Sequence, residues 1–146
     1  MNTYTAASGR TQERSSKEQI QSSKQYPNAK NQKHKPFDFE ERALLFAQTV
    51  IGFLNRLPKT AANIETSKQL IRSSGAVGAN YIEANDSLGK KDLLMRLRIA
   101  RKESKESRYW LELLECPESS ANHRANLVNE ATELLKILSA MIQKSE

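Results

Sequence analysis

Cysteine occurs once in this chain, as Cys116, so neither a disulfide framework nor a thiolate metal cluster can form within one copy. Beside Pro117, at an expected helix end, it suits a small half-buried residue. Histidine is nearly as scarce. His34 and His123 are the two, and neither follows a glutamate at three residues' distance, the pairing that holds two metals in helical bundles. Glycine totals 5 and proline 4. Gly75 and Gly78 lack the spacing and the lysine of a phosphate loop. No base is placed to activate a nucleophile, so the expectation is a non-enzymatic protein with no cofactor and no metal. Aromatics supply only 6% of residues, which favours helices over a sheet protein. No N-terminal apolar h-region and no apolar run of about 18 residues is present. A cytoplasmic protein with no membrane contact is expected.

Charge is what the chain does have, and its placement matters more than its sum. Residues 1–36 carry seven Lys/Arg against two Asp/Glu, or +5, and residues 37–146 carry 16 against 15, or +1. The first stretch is rich in Ser, Gln, Asn and Lys and poor in apolar side chains, so it cannot offset its ordering entropy. Residues 1–36 are therefore expected to form a disordered basic tail. Its end, KNQKHKP, sets Lys30, Lys33, His34 and Lys35 against Pro36, either as a solvated tail or as an arm that touches nucleic acid.

From residue 37 onward the apolar residues recur at intervals of three and four. Asp38 is a plausible N-cap for a first helix, with Glu40 and Glu41 in its first turn. Ala43, Phe46, Ala47, Val50, Phe53, Leu54 and Leu57 give one face, and Pro58 ends it. A second helix is expected to begin between Thr60 and Glu65 and run to about Asn85, a third over about 90–115, and a fourth from Glu118, Ser119 or Ser120 to near Lys144. Leu70, Ser74, Val77, Tyr81 and Ala84 share one face of the second, with Ile64, Ile71, Gly78 and Ile82 beside it, and Leu127, Ala131, Leu134, Leu135, Leu138, Met141 and Ile142 share one of the fourth. Short links between four helices make an all-α, antiparallel up-down-up-down bundle the natural reading for 37–146.

The stretch 69–110 holds the candidate sites. Its first half is rich in small residues, and Gly75 and Gly78 each cost roughly 1 kcal/mol against alanine inside a helix, as if backbones met closely there. Gln69, Arg72, Ser73, Asn80 and Glu83 lie on successive turns, either as a solvated face or as a polar pocket or subunit-contact strip. The third helix has Ser104 and Ser107 within its apolar seam of Leu93, Leu97, Ala100, Leu111 and Leu114, where a lone bundle normally places bulk. That gap favours an oligomer contact. Its other side carries Lys91, Arg98, Arg101, Lys105 and Arg108 at helical spacing, with Lys102 beside them. Between residues 90 and 108 there are eight bases against three acids. The stripe is either solvated surface or a track for an RNA or DNA backbone, worth about five phosphate contacts in one copy. An acidic protein partner is the alternative occupant. Glu83, Glu103 and Glu106 are expected to pair with bases, as in Lys102–Glu106 at i,i+4.

The segments QLIRSSGAVGANYIEAN and KKDLLMRLRIARKESKESRYWLELL resemble the four-helix-bundle proteins encoded in intervening sequences of bacterial 23S ribosomal RNA genes. The likeness spans about 39–142 and is most specific over 69–114, where Lys91, Asp92, Arg98, Lys102, Glu103, Glu106, Ser107 and Trp110 join the helix-two residues in carrying the pattern. Leu93 departs from it, standing where an aromatic commonly follows the Lys-Asp pair. The resemblance implies an antiparallel four-helix bundle assembled as a homopentamer, with no catalytic residues. A related group, the accessory variability proteins of diversity-generating retroelements, is a basic pentameric barrel that binds nucleic acid and reverse transcriptase. The nearly neutral body of this chain departs from that cationic pattern.

Overall fold

A computed structural model describes residues 38–146, which fall within the compact unit Lys35–Glu146. The expected tail, with Lys30, Lys33, His34 and Lys35, lies outside the described residues. Four α-helices follow one another: α1 (Phe39–Leu54), α2 (Ala61–Asn85), α3 (Lys90–Leu113) and α4 (Ala121–Ser145). One turn of 3-10 helix, Glu118–Ser120, leads into α4, and no strand occurs among the described residues.

The helix starts follow their caps. The Asp38 carboxylate accepts the Glu41 N–H at 3.2 Å, and the Thr60 hydroxyl accepts the Asn63 N–H at 3.2 Å. Each satisfies one of the backbone donors that a first turn leaves open. Two helix ends come earlier than expected. α1 gives way after Leu54 to i→i+3 hydrogen bonds, Arg56 N–H to Phe53 O and Leu57 N–H to Leu54 O, which tighten the chain ahead of Pro58. α3 ends at Leu113 because Asn63 captures residue 115. The Asn63 amide donates to Glu115 O and to Pro58 O, both at 2.9 Å, and its oxygen accepts the Glu115 N–H at 2.8 Å. Arg124 donates to Leu114 O at 3.0 Å and anchors the same corner.

Consecutive helices run antiparallel, as their paired ends show. The Phe39 ring packs on Tyr81 (4.6 Å between centroids) across α1 and α2. Asn63 meets Glu115 across α2 and α3, and Arg98 meets Glu146 at the far end of α4. Contacts run α1–α2, α2–α3, α3–α4 and α4–α1, with the thinnest between α1 and α4. The apolar seams enclose one core, with Phe39, Phe46, Val50, Leu70, Val77, Leu111, Leu134 and Leu138 all essentially inaccessible. A bidentate ion pair from Arg42 to Glu130, 2.6 and 3.0 Å, closes the α1–α4 side.

The small residues have an explanation inside one copy. Ser73, Ser74, Ser104 and Ser107 are at most 1% exposed, because α2 and α3 meet through them. The Ser73 and Ser107 hydroxyls are hydrogen-bonded at 2.9 Å, and Ser104 donates to Ala100 O at 3.1 Å. The serine gap of α3 is thus filled by the approaching backbone of α2, rather than left for another subunit. Gly78 behaves similarly, since a Cβ there would meet Ala43 Cβ at 3.4 Å. Gly75 and Gly52 do not: a Cβ at either would meet nothing within 4 Å, so close packing within the described chain accounts for neither.

Candidate nucleic-acid interface

Helical spacing gathers the bases of α3 against α4. Residues 98, 101, 102, 105 and 108 return to one side of a helix with 3.6 residues per turn, and the facing positions of α4 hold the short side chains Leu135 and Ser139. The result is an open groove of about 580 Å³ lined by Arg98, Arg101, Lys102, Lys105 and Arg108 with those two residues. Arg101 and Arg108 are half-buried, while Arg98, Lys102 and Lys105 are exposed. Five of the six expected binding residues therefore share one groove. Lys91 is exposed in the first turn of α3 and does not line it.

Among the described residues, only Arg98 of the five has a carboxylate within ion-pair distance, Glu146 at 2.8 Å. Lys90 donates to the Glu146 main-chain oxygen at 2.6 Å. An exposed pair of this kind contributes roughly 0–1 kcal/mol and is screened by salt, so an incoming anion can replace it at little cost. No acid is among the residues that line the groove, and a groove of one sign with low-dielectric walls concentrates the field on its opening. The arrangement suits a chain of phosphates. Among the described residues no group of three or more His, Cys, Asp or Glu is placed to hold a metal.

The other expected strip is divided. Gln69, Arg72 and Glu83 are exposed on α2, and Asn80 is half-buried with its amide donating to Ala76 O at 2.9 Å. Ser73 is enclosed between α2 and α3, so its hydroxyl is spent inside the chain and cannot reach a neighbouring copy. Beside the polar strip runs an apolar one. Ile64, Ile71 and Ile82 are 46, 46 and 42% exposed, one or more whole turns apart, with exposed Gly75 between them.

Three features lay beyond the sequence reading. Burial first, then the neighbouring Glu106 charge, pushes the Glu103 carboxyl above the usual carboxylate range against the pull of Lys102 and Arg72. The expected Lys102–Glu106 ion pair does not form among the described residues. The second is the α1–α4 cleft of about 420 Å³, with Phe46, Phe53 and Leu127 at its floor and Arg56 and His123 at its rim. The third is the Asn63 clamp. A carboxyl pair at i,i+3 was the only local signal for any of them.

Fold and groove together define a small all-α bundle with a row of bases lining the space between α3 and α4. The chain belongs to the 23S rRNA-intervening sequence protein family, whose model matches residues 35–140. Among solved structures it is similar to a protein of unknown function from the S23 ribosomal protein family of Bacteroides thetaiotaomicron. The two are 30% identical with a TM-score of 0.64, over 72% of this chain and 95% of that one. No curated protein matches.

Proposed function

We propose that the protein is a non-enzymatic, oligomeric bundle that binds RNA or DNA through the phosphate backbone. The observation that carries this reading is the α3–α4 groove, where five bases line one space and one of them has a described acid partner. Backbone recognition needs cations and little else, and it reads no base sequence by itself. Assembly into a homo-oligomer is supported by the exposed isoleucines of α2 alongside Gln69, Arg72, Asn80 and Glu83. Apolar residues exposed in a row, rimmed by polar ones, mark a surface that meets another protein. Repetition of the groove around such an assembly raises affinity through effective concentration alone.

The test separates the groove from charge in general. Arg98, Arg101 and Lys105 are changed together to alanine, and a control variant removes Arg56, Lys59 and Lys68, exposed bases of the α1–α2 side. Binding to labelled RNA at low salt should weaken at least tenfold in the first variant and much less in the second. Equal losses would show that net charge, rather than this groove, does the binding. Recovery of a stoichiometric protein partner with no nucleic acid would favour a protein-docking role for the same face.

A further inference from the structure

Beyond the residues that line the groove, α3 carries an exposed aromatic residue that the phosphate-binding reading does not use. Tyr109 lies one turn beyond Lys105 and 11 residues, close to three whole turns, beyond Arg98. It is therefore on the same side of α3 as the bases. Its side chain is 58% exposed, yet it is not loose. The Tyr109 ring meets Trp110 edge to face, centroids 4.9 Å apart and planes at 73°. Trp110 in turn packs against the bundle core. Such aromatic pairs hold geometries worth more than their buried area, so the tyrosine ring is steadied while much of it stays open to solvent. Leu113, one turn further on, is 53% exposed and extends the apolar platform.

We infer that Tyr109 is a base-stacking residue that makes the groove prefer unpaired nucleotides over duplex. This rests on the phosphate-backbone reading of the groove and adds a specificity to it. Cations that track a backbone, ending at an aromatic face held in place, form the combination by which proteins bind single strands without reading sequence. A duplex keeps its bases stacked on each other and offers the groove phosphates alone. An unpaired strand can give up one base to the Tyr109 ring while its phosphates stay on Arg98, Arg101 and Lys105. The ligand class is thus a single-stranded stretch or loop of RNA or DNA.

The full chain is titrated by fluorescence anisotropy with labelled oligo(U), oligo(dT) and a duplex of equal length, at one low salt concentration. Tyr109→Leu keeps apolar bulk and removes the ring, and Tyr109→Phe keeps the ring. Tyr109→Leu should weaken both single strands roughly 5- to 150-fold, the range for loss of one stacked base. It should leave the duplex unchanged, and Tyr109→Phe should match the wild type on all three. If wild type binds single strands and Tyr109→Leu stays within about twofold of it, stacking is overturned and the phosphate reading stands. An equal loss on duplex also overturns stacking. If wild type binds none of the three, the phosphate reading itself fails.

Discussion

Asn63 shows how much one polar side chain can hold. It is 3% exposed and ties the α1–α2 link to the end of α3 through three hydrogen bonds. Asn63→Ala leaves two carbonyls and one N–H without that partner, which should cost about 2–4 kcal/mol. The expected result is a lower urea midpoint with an unchanged slope. Glu103 makes a prediction of opposite sign. Its carboxyl is held above the usual range by burial and by Glu106, so the folded state binds this proton more tightly than the unfolded chain does. That contribution is fully present below the unfolded pKa and is lost as pH rises through the folded one. Glu103→Gln, which carries no charge to penalise, should therefore melt higher than wild type at about pH 7, with the gap closing below about pH 4. A gap that widens on acidification would contradict the assigned cause. Asn63 did not stand out in the sequence, and Glu103 did so only as a carboxylate expected to pair with a base. The partner of Asn63 is 52 residues away, and local periodicity contains no information about such a contact.

At the scale of helices, far more was legible. Four runs of apolar residues at three and four, with Asp38 as a cap, marked every α-helix and most of their ends. The two ends that moved, near Leu54 and Leu113, are set by turn hydrogen bonds and by Asn63, which act from outside the periodic pattern. The serines of α3 were legible as a gap but misleading in purpose, because a gap looks the same whether a second helix or a second subunit fills it. Here α2 fills it. Ser107→Leu should consequently overpack the α2–α3 contact and lower stability by about 1–3 kcal/mol or more. Ser104→Ala should change it by less than about 1 kcal/mol, since that hydroxyl donates only to its own helix. Thermal unfolding of the two variants checks both. A benign Ser107→Leu would mean that the helices stand further apart than the structure places them.

For the whole molecule, the distribution of charge governs the account. The body sums to +1 over residues 37–146, a figure that hides the groove, because bases collect on α3 against α4 while acids are spread over the remaining surface. Periodicity could show that five bases share a side of α3. It could not show that α4 turns Leu135 and Ser139 toward them. No helix among the described residues is long and apolar enough to cross a membrane. The exposed isoleucines of α2 fit the proposed subunit contact. Light scattering over a range of concentrations should find a defined oligomer, and a monomer throughout would remove the subunit part of the proposal.

The most direct test of the groove is the salt dependence of RNA binding. Each phosphate neutralised on a single strand contributes about 0.7 to the slope of log affinity against log salt. Five groove cations predict a slope near −3.5 for wild type, and the Arg98/Arg101/Lys105 alanine variant should fall to about −1.4. Equal slopes for the two proteins, or binding that ignores salt, would contradict the assignment of this groove to the nucleic-acid backbone.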